Sequence, residues 1–324
     1  MPRLVGDIGA TNARFALAAA DGGLHLERSF RCAEFPGLSE AIAHYLQAAQ
    51  LAPADRPREA AMAIAAPLSG DVVRMTNLPW TISAAGTRKA LGLDKLLLLN
   101  DFTALALSLR HLPADGRQQV GGGKSRRHMP IALLGPGSGL GVSGLLPAGR
   151  GWVPIAGEGG HVTLPASTER EAAVLQRLRG EFAHVSAERV LSGPGLLLLY
   201  RTLCELDGDA APFTHVEAVS EQALAFSDPH CVEAVQLFCE WLGTVASDLV
   251  LTLGAHGGCY IGGGIVPRLL PLFARSGFRS RFEAKGRYHA YLEPIPVYVI
   301  TDGAAALRGC ARAFADSSPR VVAA

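Results

Sequence analysis

The residues of this sequence with chemistry in them are three glycine-rich stretches and a scatter of carboxylates. Gly6-Asp7-Ile8-Gly9-Ala10-Thr11-Asn12 lies between Leu4-Val5 and Phe15-Ala16-Leu17, two apolar segments that read as strands. Glycine lets backbone N–H groups approach an anion because no Cβ stands in the way. Thr11 and Asn12 add side-chain donors, and Asp7 is a carboxylate able to hold Mg²⁺ through water. A plain hairpin with a DxG turn uses the same residues, so this stretch alone decides nothing.

Gly135-Pro136-Gly137-Ser138-Gly139-Leu140-Gly141 also sits between two apolar runs, residues 131–134 and 142–146. It is not the dinucleotide fingerprint, because Leu140 stands where that pattern needs glycine and a strand follows it instead of a helix. Its Gly137, Ser138 and Gly139 are candidates to cradle phosphate. The third stretch, Tyr260-Ile261-Gly262-Gly263-Gly264-Ile265-Val266-Pro267, ends a strand and opens a helix, with proline where a first turn accepts it. Gly263 and Gly264 would let a flat ring lie on the backbone; a tight strand-to-helix turn is the alternative. Two glycine loops between strands in one chain say more than either does alone.

The polar candidates come next. Asn100-Asp101 follows the apolar run 96–99, so it falls at the C-terminal end of a strand, where α/β folds place active sites. A hydroxyl is a poor nucleophile, and a carboxylate placed to take its proton makes it a better one. Capping of the helix that starts near Phe102 requires the same two residues. Glu158 and His161 lie in Gly157-Glu158-Gly159-Gly160-His161, too glycine-rich for regular structure, and each can hydrogen-bond hydroxyls. As a metal pair they lack further ligands nearby. Glu188, in Ser186-Ala187-Glu188-Arg189, reads by itself as a carboxylate favoured in a helix's first turn. Gly121-Gly122-Gly123-Lys124-Ser125 imitates the end of a P-loop, but the pattern's first glycine falls on Gln118, and no strand is expected before it.

These residues need elements to hold them. Buried strands are expected at 60–66 and 96–99, further strands at 259–262 and 297–300, and a helix at 39–49 with Ser39 as its cap. Helices are also expected from 102 to 109, 169–181, 231–253 and 304–315, with a polar loop at 113–127. Strands mixed with helices, and glycine turns opening each half, predict two α/β lobes. The expected division is a small domain of 1–110 plus 301–324 and a large one of 111–300.

Bulk properties narrow the partners. Hydrophobic residues make up 49% and charged residues 18%, the balance of a well-packed globular chain. With 30 basic and 29 acidic residues the net charge is +1, and no large basic block points to nucleic acid. The six cysteines are scattered without a CxxC pair, as expected of reduced thiols in the cytoplasm. No apolar leader precedes Gly6, and glycines break the uncharged run 249–267, so no membrane partner is expected.

The three loops, in this order, resemble the phosphate and adenosine motifs of the hexokinase, Hsp70 and actin superfamily. With LVGDIGATNARFAL, NDFTALAL, GEGGHV, SAERVLSGPGL and GGGIVPR in place, nearly the whole chain resembles bacterial glucokinases of the non-ROK type. Ala10 stands where a glycine is common, and Pro136 and Ser138 where alanine and threonine are usual. The ROK branch carries a zinc-binding cysteine cluster after its glycine-histidine motif, and no cysteine lies here between Cys32 and Cys204.

The resemblance implies a two-lobed actin-like ATPase (ribonuclease H-like) fold with its active site in the interlobe cleft. It implies ATP and Mg²⁺ as cofactors, with Gly6 to Asn12, Gly137 to Gly139, Gly263 and Gly264 at the nucleotide. It makes Asp101 the base acting on the 6-hydroxyl of glucose, with Asn100, Glu158, His161, Glu188 and Asn77 as sugar ligands, and it implies a homodimer. A filament subunit or chaperone ATPase lacks such sugar ligands. A sugar-sensing repressor needs a helix-turn-helix before the first loop, where only five residues stand. Kinases of fructose, mannose or an acylated hexosamine remain alternatives.

Overall fold

The alternation around the first glycine stretch folds as β1 (Arg3–Ile8) and β2 (Asn12–Ala18), paired antiparallel, with β3 (Leu24–Arg31) beyond them. The computed structural model describes residues 2–68, 70–75, 78–314 and 322–323. It divides into unit 1 (1–116, 145–156 and 302–324) and unit 2 (117–144 and 157–301). The expected domain boundaries omit the return of 145–156 to unit 1. Those residues follow a continuous β pattern, so nothing local in the sequence marks the crossing.

In unit 1, α1 (Leu38–Ala48), β4 (Glu59–Ile64), the hairpin β5 (Val72–Arg74) and β6 (Thr81–Ser83), α2 (Ala84–Leu91), β7 (Lys95–Asn100) and α3 (Asp101–Ser108) follow in order. The sheet runs β14-β7-β4-β1-β2-β3, where β14 is Val322–Ala323, and β1, β4 and β7 are mutually parallel. Side chains alternate between its faces. Leu4, Ile8, Met62, Ile64, Leu96 and Leu98 form one core with Ile42 and Tyr45 of α1. Val5, Ala61, Ala63, Leu97 and Leu99 are buried on the opposite face, against which α3 and a late helix (Ala305–Arg312) lie. That late helix meets α3 so closely that a Cβ on Gly309 would strike the Ala104 backbone, so only glycine fits.

The second sheet is built from β8 (Arg117–Val120), β9 (Ile131–Pro136), β10 (Leu140–Ala148), β11 (Gly151–Ala156), β12 (Cys259–Ile261) and β13 (Val297–Ile300), ordered β11-β10-β9-β12-β13-β8. The end of β10 and all of β11 belong to unit 1, where β11 lies against α3. The helices are α4 (Glu169–Arg179), α5 (Ala187–Val190), α6 (Gly193–Asp207), α7 (Val216–Leu224) and α8 (Pro229–Leu253). The short α9 (Ile265–Arg268), α10 (Leu270–Phe273), α11 (Phe278–Glu283) and α12 (His289–Leu292) follow, and Ala305–Arg312 in unit 1 is α13. Asp228 caps α8 through its side chain, Pro229 opens it and Gly254 ends it in the left-handed conformation. At 25 residues α8 is long and apolar enough to cross a membrane, but 72% of its apolar window is buried inside the protein. It is the central helix of the unit 2 core.

Several expectations change. Ser39 does not cap α1: the N-cap is Gly37, and Ser39 Oγ donates to Thr87 Oγ1 at 3.3 Å. The stretch 113–127 is not all loop, because 117–120 pair as β8 with β13. Alternation over four residues is too short to stand out in a polar sequence. A strand therefore does precede Gly121, contrary to expectation, yet no helix follows Ser125, and the backbone N–H of Lys124 donates to the Pro294 carbonyl at 3.1 Å. The P-loop reading fails on the helix alone. Lys124→Ala is expected to leave kcat and the KM for ATP within about twofold, since an exposed charge with no phosphate contact supplies no such binding. Steady-state kinetics in ATP check this, and a hundredfold fall in kcat/KM would restore the P-loop. All six cysteines are free and buried, and burial pushes the Cys259 thiol up to about 12.

Candidate active site

Because β1, β4 and β7 are parallel and in register at Ile8, Ile64 and Asn100, their C-terminal ends share one edge of the unit 1 sheet. Two predicted groups of site residues emerge there. The turn proper is short, Gly9-Ala10-Thr11, closed by the Gly9 N–H donating to the Asn12 carbonyl at 3.0 Å. Thr11 and Asn12 are exposed. Gly6 and Ile8 do not belong to the turn. Both sit inside β1, Ile8 in the core and Gly6 where a Cβ would meet the Met62 sulfur. Their part is to let the strand pack, and any contact they make with a ligand is through the backbone.

Asp7, also in β1, stands opposite Arg14 across the ladder. Burial raises its carboxyl pKa above the usual value, and the Arg14 charge partly offsets this. A hard oxygen donor whose charge is costly in its surroundings fits a divalent cation, which favours the ionised form.

Asn100 ends β7 and caps α3, its Oδ1 accepting from the N–H groups of Phe102 at 3.0 Å and Thr103 at 3.2 Å. Its Nδ2 donates to the Ala66 carbonyl at 3.5 Å. Asp101, the first residue of α3, accepts the Phe102 N–H at 2.9 Å through Oδ1. Asn100 thus caps Phe102 and Thr103, and Asp101 shares the Phe102 N–H with it. Asn77 lies outside the described residues.

Unit 2 repeats the edge logic. Leu134 of β9 and Ile261 of β12 are register partners, so both glycine loops leave the sheet together. A Cβ on Gly135 would strike the Gly262 backbone, and Gly263, at φ +77°, would strike that of Pro136. Gly137 and Gly264 instead face open space. That separates the glycines needed for packing from those with open space beside them, where a ligand could approach. Gly137 N–H donates to the Gly139 carbonyl at 2.8 Å, closing the turn, and Gly193 N–H donates to the Gly137 carbonyl at 2.8 Å. The third loop leads into α9, a single turn with Pro267.

The loop 157–161 folds against β10. Cβ atoms on Gly159 and Gly160 would collide with Val142 and with the Leu140 carbonyl, which is why this loop carries two adjacent glycines. Glu158 and His161 stay exposed. Ser186 caps α5 at the Arg189 N–H and so sets Glu188, whose Oε1 is 3.9 Å from His161 Nε2. His161 and Glu188 border a cavity of about 230 Å³ lined also by Ser138, Arg189 and Ser192. Sequence reasoning missed Arg189 and Ser192. The signal was present for Ser192, a helix cap ahead of Gly193-Pro194-Gly195, but not for Arg189.

Paired α/β units, glycine turns at the ends of parallel strands and side chains suited to hydroxyls beside them define a sugar kinase of the actin-like ATPase fold. The sequence model of the glucokinase family, described simply as glucokinase, matches residues 4–317. The chain belongs to that family. The glucokinase of Chromobacterium violaceum is 52% identical over 315 residues, 97% of this chain and 90% of that protein. That of Paramagnetospirillum magneticum is 48% identical over 314 residues, covering 97% of each. Among solved structures, a glucokinase from an Antarctic psychrotroph superposes with a TM-score of 0.87 at 35% identity, over 96% of this chain and 97% of that one.

Proposed function

We propose that this chain transfers the terminal phosphoryl group of ATP to the 6-hydroxyl of D-glucose, giving glucose 6-phosphate and ADP. The observation that carries the reading is the Asn100-Asp101 pair, set at one sheet edge with the Gly9–Thr11 turn, in a chain about half identical to glucokinases along nearly its full length. Asp101 accepts the 6-hydroxyl proton as the oxygen attacks, and Asn100 Nδ2 orients a neighbouring hydroxyl. Glu158, His161 and Glu188 hydrogen-bond the remaining hydroxyls, and Asn77 is assigned to the same pocket from the family resemblance. The backbone of Ala10 and Ser138, in turns that Gly9 and Gly137 close, meets the phosphates with the donors of Thr11 and Asn12, while Gly263 and Gly264 underlie the adenosine. Gly139 completes the phosphate turn.

Asp7 is the residue that would hold Mg²⁺ through water, and the ion would supply charge neutralisation at the phosphates. The cytoplasmic location and homodimeric state rest on the family resemblance. A coupled assay of ADP production across a sugar panel tests the assignment. Glucose is expected to give a kcat/KM at least tenfold above fructose, mannose and N-acetylglucosamine, since a site built for hydroxyls penalises their loss or relocation. A preference for any of the other three would replace glucose in the reading.

A further inference from the structure

We infer that Glu188 is a positioning residue for the phosphate turn as well as a sugar ligand, and that Gly139 is glycine because of that carboxylate. The inference rests on the assignment of Glu188 to the sugar and goes beyond it. The two oxygens of Glu188 face different neighbours. Oε1 is the one near His161 Nε2, at 3.9 Å. Oε2 accepts the Leu140 backbone N–H at 2.8 Å. Leu140 is the first residue of β10, directly after the turn Gly137-Ser138-Gly139. The carboxylate therefore ties down the end of the loop that faces the triphosphate.

Gly139 shows the other side of the same contact. A Cβ there would stand 2.5 Å from Glu188 Oε2 and 3.1 Å from its Cδ. The carboxylate fills the space a side chain would take. Gly160, in the loop carrying Glu158 and His161, also lies close on Leu140, where a Cβ would stand 2.2 Å from its carbonyl oxygen. The loops that supply all three unit 2 sugar ligands converge on the backbone of this one residue. A sugar hydroxyl that fixes the Glu188 carboxylate then also fixes the phosphate turn, and by linkage an ordered turn favours the sugar.

Three variants test this by calorimetry, with glucose titrated in the absence of nucleotide and ADP in the absence of glucose. Gly139→Ala is expected to weaken glucose binding at least tenfold, although residue 139 belongs to the nucleotide loop. Gly139 has no positive φ and the atom displaced is the end of a flexible side chain, so the variant is expected to fold. Glu188→Ala is expected to weaken ADP binding about tenfold. Glu188→Gln, whose amide oxygen still accepts the Leu140 N–H, is expected to keep ADP binding within threefold, a rescue that loss of bulk alone would not give. Unchanged ADP affinity in Glu188→Ala overturns the inference, as does glucose affinity within threefold of wild type in Gly139→Ala when Glu188→Ala itself weakens glucose binding. If Glu188→Ala weakens ADP but leaves glucose binding intact, the sugar-ligand assignment fails and the tie to the turn stands.

Discussion

Asparagine at position 101 is expected to lower kcat by about 10² to 10⁴ while changing glucose affinity less than tenfold. The range is that of general-base catalysis, roughly 3 to 5 kcal/mol of barrier. Asparagine matches aspartate in size, and its carbonyl oxygen still accepts the Phe102 N–H that Asp101 Oδ1 accepts now. The helix start is secured independently, because Asn100 caps both Phe102 and Thr103. What the variant loses is a group able to take a proton. One neutral hydrogen bond to the sugar is worth only about 1 kcal/mol, which limits the effect on binding. Calorimetry without ATP gives the glucose affinity, and a coupled assay gives kcat. A fall in kcat of less than tenfold would make Asp101 a binding residue and send the search for the base elsewhere.

The second large effect concerns stability. Glu171 is fully buried on α4, with Oε1 2.8 Å from Arg281 Nη1, and Arg281 Nη2 reaches Glu240 Oε2 at 2.8 Å. The other Glu171 oxygen accepts from Ser167 N–H at 2.5 Å and Thr168 N–H at 3.2 Å, half of a capping box that starts α4. Arg281→Ala strands the carboxylate in the core, and its expected cost is about 3 to 5 kcal/mol. Replacing both Glu171 and Arg281 by methionine removes the stranded charge, and the double variant is expected to recover most of that loss. The remaining deficit is about 1 kcal/mol for the lost cap. Urea titration of the wild type, the single and the double variant measures all three. A single variant within 1 kcal/mol of wild type would mean that water reaches Glu171 once the arginine is gone.

The local structure around the candidate site was legible where short-range chemistry fixed it. Asn100-Asp101 after a leucine run could only end a buried strand and start a helix, and it does both. The glycine stretches were legible as turns, but the purpose of each glycine was not. Gly6 is set by Met62, a neighbour 56 positions away in sequence, and Gly139 by Glu188. A close approach between distant segments leaves no mark in local composition. The same reason hid β8, whose four residues become a strand only because β13 offers its edge. It also hid the return of 145–156 to unit 1, since β10 crosses that boundary without a break in pattern.

The close seat of Gly309 on Ala104 has a consequence in time as well as space. The helix that carries Asp101 is finished by residue 108, yet α13, which packs closely on it, begins only at Ala305. A chain emerging from the ribosome therefore holds α3 without α13 while all of unit 2 is being made. Unit 2 from 157 to 301 is complete before α13 exists, and domains generally fold as units in the order of synthesis. The packing that supports α3, and with it Asp101, is therefore completed only after unit 2 has been made.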